Sequence, residues 1–136
     1  MKVGVHISSD IENMKENIES LDPDANIVQF FVEGSYDKKV YTKIGKLLKE
    51  KNLSGYVHSS CKINLAKEWE PGSWWISYLI YEIKVAHAIG MQGIVVHTGA
   101  SKTLNESEAL NNLYTCMAHI AKKTKKERDV KIILET

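Results

Sequence analysis

Gly93-Ile94-Val95-Val96-His97 is the stretch on which the fold turns. It is apolar almost throughout, lacks strict apolar–polar alternation, and runs straight into a histidine. Such a run suits a parallel strand covered on both faces. The same kind of run recurs at Val3-Gly4-Val5-His6-Ile7, Ile27-Val28-Gln29-Phe30-Phe31-Val32, Gly55-Tyr56-Val57-His58 and Val130-Lys131-Ile132-Ile133-Leu134-Glu135.

Segments of helical period separate these runs. The first carries Ile11, Met14, Ile18 and Leu21 on one face, with Ser9 three residues before Glu12 in capping-box spacing. The second carries Val40, Ile44, Leu47 and Leu48. The third runs from about Trp74 to Ile89, with Ile76, Leu79, Ile80, Ile83 and Ala86 inward and Gly90 as its stop. The fourth puts Leu110, Leu113, Met117 and Ile120 on one stripe and ends in Lys122, Lys123, Lys125 and Lys126, which complement the helix dipole. The order βαβαβαβαβ predicts an α/β fold with parallel strands joined by right-handed crossovers. It is either a doubly wound sheet or part of a (β/α)8 TIM barrel. No Gly-rich fingerprint follows the first run, which weakens the dinucleotide-binding version of the first alternative.

The remaining composition narrows the class. The chain has 136 residues, 43% of them hydrophobic, enough for the core of one domain. With 18 Lys+Arg against 17 Asp+Glu it carries a formal charge of +1, so the signature of intrinsic disorder is absent. That balance neither announces a nucleic-acid binder nor excludes one, because a basic patch can coexist with an acidic metal site. No apolar run is long enough to span a bilayer, and the start MKVGVHISSD has no signal-peptide stretch, so no membrane association is expected. Two cysteines, Cys61 and Cys116, give no disulfide framework; an intracellular, reducing setting is expected, cytoplasmic or virus-associated.

Chemistry collects at equivalent places. His6, His58, His97 and Glu135 each stand at or near the C-terminal end of a predicted strand. In parallel α/β folds those ends open onto a common mouth where ligands bind. Two imidazoles and a carboxylate suit zinc, with a position left for water. His87, the Cys116/His119 pair, the three tryptophans (Trp69, Trp74 and Trp75) and the Lys-rich helix end read as structural or solvated residues.

These motifs resemble the endonuclease IV family of zinc-dependent abasic-site endonucleases, with divergent viral members the most similar. The matching stretches are Gly4-Val5-His6-Ile7-Ser8, Val28-Gln29-Phe30-Phe31, His58-Ser59 with Ile63-Asn64-Leu65, Val96-His97-Thr98-Gly99 and Leu134-Glu135-Thr136. Their order and spacing agree along the whole chain, which corresponds to the amino-terminal half of that family's TIM barrel (strands one to five, helices one to four).

The resemblance implies a DNA-repair hydrolase that cleaves the phosphodiester 5′ to an abasic site with zinc-activated water. It implies His58 and His97 as ligands of one zinc and Glu135 as a catalytic bridge to a second. His6, Gln29 and Asn64 become substrate contacts. The family's complete site takes up to three Zn2+; one is nearly complete here. The implied partner is double-stranded DNA with abasic sites. Tyr36 and Lys62 stand near positions used to distort DNA, where Cys61-Lys62 replaces a Tyr-Leu pair.

Two further expectations follow from the half barrel. Its first and fifth strands are open edges, and its inner face exposes Val, Ile and Phe side chains that closure of the barrel would bury. The chain is therefore either a fragment of a longer enzyme or a unit that associates with a second copy. A sugar isomerase or epimerase of the xylose-isomerase-like barrel group, and a non-catalytic binding module, remain the alternative readings.

Overall fold

Side-chain alternation explains how the sheet buries one face and arms the other. A computed structural model describes residues 1–8, 10–32 and 37–136. Its strands are β1 (Val3–His6), β2 (Ala25–Phe31), β3 (Ser54–His58), β4 (Gly93–His97) and β5 (Lys131–Glu135). Between them lie α1 (Ile11–Glu19), α2 (Lys38–Glu50), α3 (Trp74–Ala88) and α4 (Glu106–Lys123), with a short 3-10 turn at Lys125–Glu127 before β5.

The strands pair parallel in chain order, β1-β2-β3-β4-β5. A doubly wound sheet reverses its strand order at a switch point. This one does not, so the chain folds as part of a (β/α)8 barrel.

Successive strand residues point to opposite faces. Val28, Phe30, Val57, Ile94 and Val96 are wholly buried on the face that meets the helices. They join Met14 and Ile18 of α1, Tyr41, Ile44 and Leu48 of α2, Ile76, Leu79 and Ile83 of α3, and Cys116 and Ile120 of α4 in one cluster. Each fully buried Ile, Leu or Phe contributes about 1.5–3 kcal/mol by leaving water. The alternate residues Gln29, Phe31, Tyr56, His58, Val95 and His97 therefore line the other face, the interior side of the barrel wall.

Local signals set the helix ends. The α1 cap is Asp10 rather than Ser9, which lies outside the described residues; the Glu12 N–H donates to Asp10 Oδ1 at 3.3 Å. A carboxylate two residues upstream satisfies the same free amide that the expected serine would have served. Asp37 caps α2 in the same way, accepting from the Lys39 N–H at 2.8 Å. Gly90, at φ +76°, follows the α3 C-cap as expected.

The α4 stripe needs one correction. Leu110 is 57% exposed, and the buried residues are Ala109, Cys116 and Ile120. Asn105 and Glu108 form a capping box that starts the helix, and the inward face runs one position N-terminal to Leu110.

The strands at the two ends of the sheet, β1 and β5, carry the exposed apolar side chains. Val3 and Val5 are exposed on β1, and Ile133 and Leu134 on β5. Most exposure therefore falls on the edges rather than across the inner wall as a whole. No described helix is long and apolar enough to cross a membrane.

Candidate metal centre

Parallel register carries three strand ends to one point. His97 stands opposite Glu135 across the β4–β5 ladder. His58 pairs with Val95, two residues before His97, so both histidines project from the same face. Glu135 Oε2 lies 3.2 Å from His58 Nε2 and 3.1 Å from His97 Nε2. The two imidazoles meet edge to face, with centroids 5.1 Å apart.

The tautomer of His58 gives this contact its meaning. Its Nδ1 lies 2.7 Å from the Ser59 carbonyl oxygen, which can only accept, so Nδ1 carries a proton. In a neutral ring Nε2 then holds a lone pair, and it faces a carboxylate oxygen that also holds lone pairs. Two acceptors at that distance repel unless the ring takes a second proton or a cation lies between them. A backbone carbonyl fixing the far nitrogen is the usual way a ligating histidine is oriented. The donor set of two imidazoles and a carboxylate fits a zinc ion.

Cys61 completes a further grouping. The ligand atoms of His58, Cys61 and His97 all lie within 4.8 Å of one another. Beside them an open cleft of about 700 Å³ is lined by Lys62, Asn64, Gly99, Lys102 and Glu135 among others.

No protein-family model matches the sequence, and no curated protein does. Solved structures do. A D-tagatose 3-epimerase-like protein is 23% identical over 100% of this chain and 53% of its own, with a TM-score of 0.75. Endonuclease IV from Thermus thermophilus is 15% identical over 100% of this chain and 52% of its own, with a TM-score of 0.70. The AsfvAP:AG structure is 19% identical over 98% of this chain and 47% of its own, with a TM-score of 0.64. The chain spans about half the length of the structures it matches. Nuclease and sugar epimerase share this barrel, so the likeness identifies the fold and not the reaction.

The residues around the centre divide by what they touch. His6 is exposed, and its Nδ1 accepts from the Gln29 amide at 3.3 Å, which leaves the proton on Nε2. Its ring lies 5.0 Å from Phe31, which lies 4.9 Å from His58. The His6 and His58 ring centroids lie 6.5 Å apart, so the three rings form one cluster with Phe31 packed against both histidines.

Asn64, expected at the substrate, has its amide engaged by backbone. It donates to the Ala100 carbonyl at 3.0 Å and accepts from the Ala66 and Ala100 N–H groups. That arrangement ties the loop after β3 to the loop after β4. Lys62 is exposed at the cleft. Tyr36 lies outside the described residues.

Of the residues read as structural, Trp75 is buried in the core. Trp69 donates its Nε1–H to Thr115 at 3.0 Å and meets the His119 ring at a tilt, with centroids 5.1 Å apart. His87 pairs with Asp129 at 2.8 Å on the surface. Cys116 is fully buried, and burial pushes its thiol up to about 12, so it stays protonated.

Sequence reasoning missed Cys61, Glu82, Phe31 and Lys102. The spacing His58-x-x-Cys61 was the available signal for the first. Glu82 is buried in α3 and holds Ser59 and Ser60. Its only sequence mark was a charge between apolar helix positions.

Proposed function

We propose that residues 1–136 form the amino-terminal half of a zinc-dependent abasic-site endonuclease, cleaving the phosphodiester 5′ to the lesion in duplex DNA. The convergence of His58 Nε2 and His97 Nε2 on Glu135 Oε2 carries this reading. Imidazole-rich donor sets suit zinc, whereas sets built from carboxylates alone suit harder ions such as magnesium and manganese.

In this reading His58, His97 and Glu135 hold the ion, and zinc supplies Lewis acidity and water activation near neutral pH. The Ser59 carbonyl keeps the His58 Nε2 lone pair aimed into the site. His6, with its proton on Nε2, is placed to donate to a substrate oxygen, and the Gln29 amide holds it in that tautomer. Lys62 and Lys102, at the rim, meet backbone phosphates. Phe31 packs against both His6 and His58 and holds the two rings in one cluster.

A second reading, a ketose epimerase, is favoured by the whole-chain likeness to the D-tagatose 3-epimerase-like protein. One experiment separates them. The complete polypeptide to which these residues belong is loaded with zinc and incubated with a duplex bearing one abasic site, and in parallel with a ketohexose. Incision at the lesion supports the nuclease. Epimerisation without incision replaces it, and tight duplex binding with neither reaction leaves a binding module.

A further inference from the structure

We propose that Cys61 is a direct ligand of the ion held by His58 and His97, and that its sulfur closes the coordination shell in a resting form of the site. The inference rests on the reading of those histidines as metal ligands and adds a donor to it. Three observations carry it.

The first is proximity: the three ligand atoms lie within 4.8 Å of one another, a spread that small side-chain rotations close around one ion. The second is the loop that presents the thiol. The Ser59 hydroxyl and the Ser60 N–H both donate to the buried Glu82 carboxyl, at 2.6 and 3.1 Å. The Ile63 N–H then donates to the Ser60 carbonyl at 3.1 Å. The turn bearing Cys61 is therefore anchored to the core on one side and folded tightly on itself. The third is access: Cys61 is exposed beside the open cleft that Glu135 and His97 also line, while His58 is 7% exposed and turns Nε2 toward Glu135.

The chemical consequence is specific. A thiolate added to two imidazoles selects for zinc over magnesium or manganese. The thiol gives up its proton to solvent as the sulfur–metal bond forms. His58, Cys61 and His97 give three donors; were Glu135, which lies outside that group, to turn in as well, the four would fill the shell zinc ordinarily takes and leave no position for water. Cys61 and an attacking water would then compete for one position, and the sulfur would have to swing away before the site could turn over.

Cobalt(II) substitution tests this directly, because sulfur ligation gives a charge-transfer band in the near ultraviolet that nitrogen and oxygen donors do not. The expected result is that band in the wild-type protein and its loss in Cys61→Ser, with the visible ligand-field bands retained. Competition with a chelator should show metal affinity falling at least about tenfold in Cys61→Ser, since removing even an outer partner of a ligand costs roughly 10–100-fold. Cys61→Ala, checked for folding by circular dichroism, guards against a residual hydroxyl ligand. Ligand-field bands without the sulfur band in the wild type would overturn Cys61 ligation and leave the histidine–glutamate site standing. Absence of both would remove the site itself.

Discussion

The Ser59 hydroxyl donates to Glu82 Oε2 across 2.6 Å, at a point where Glu82 is only 1% exposed. A carboxyl in the core beneath the metal-site loop is costly to ionise. Burial pushes its pKa from 4.5 up to about 7, against the opposing pull of the Ser59 hydroxyl, the Ser60 N–H and His58. The folded state therefore holds this proton more tightly than the unfolded chain. Below the unfolded value both states are protonated and nothing is lost. As pH rises from about 4.5 to 7 the unfolded chain ionises first, and stability falls by at most about 3 kcal/mol, then levels off. Glu82→Gln should abolish that component. Urea unfolding across this pH range should show a wild-type-minus-variant difference that changes with pH; a flat difference would refute the assignment.

Metal retention tests the convergence of the three strand ends. The double change His58→Ala, His97→Ala removes both imidazoles that face Glu135 Oε2. Bound zinc, measured on the purified protein, should fall to background while Glu135→Gln alone weakens binding less. Unchanged zinc content in the double variant would defeat the ligand assignment.

Much of this architecture was legible because period and position are local properties. The apolar runs located all five strands, and Gly90 located the end of α3. His58, His97 and Glu135 could be grouped because the strand ends of a parallel sheet must share a side. What escaped depends on packing between distant segments. Nothing local distinguishes Glu82 from a solvent-facing helix glutamate, because its buried state depends on a serine pair 22 and 23 residues upstream. Cys61 reaches the histidines through a turn whose path no periodicity encodes. Leu110 misled for a simpler reason: an apolar residue one position off the inward face still fits a helical stripe. Asn64 reads as a polar residue near a mouth, and only the fold shows its amide engaged by the Ala66 and Ala100 backbone.

That tie between loops can be broken from the other side. Gly99 sits at φ +92°, and a Cβ there would collide with the Asn64 side chain. Gly99→Ala combines an unfavourable backbone region with that clash, and should cost on the order of 1–3 kcal/mol. Thermal unfolding measures it. Asn64→Ala should cost less, and the pair should be non-additive because Asn64→Ala removes the atom that is struck. Additive losses would show that the two residues act separately.

The two edge strands make a prediction about association. β1 and β5 each pair on one side only among the described residues, and they leave Val3, Val5, Ile133 and Leu134 exposed. Unpaired strand edges with apolar side chains invite pairing with another chain. Residues 1–136 expressed by themselves should therefore elute above the monomer in size-exclusion chromatography, increasingly so with concentration. Val5→Lys with Leu134→Lys places a charge on each edge without touching His58, His97 or Glu135. That variant should shift the elution toward the monomer while keeping its zinc, which separates edge pairing from metal-bridged aggregation. A wild-type chain that stays monomeric at every concentration and melts cooperatively would show instead that the edges are self-sufficient.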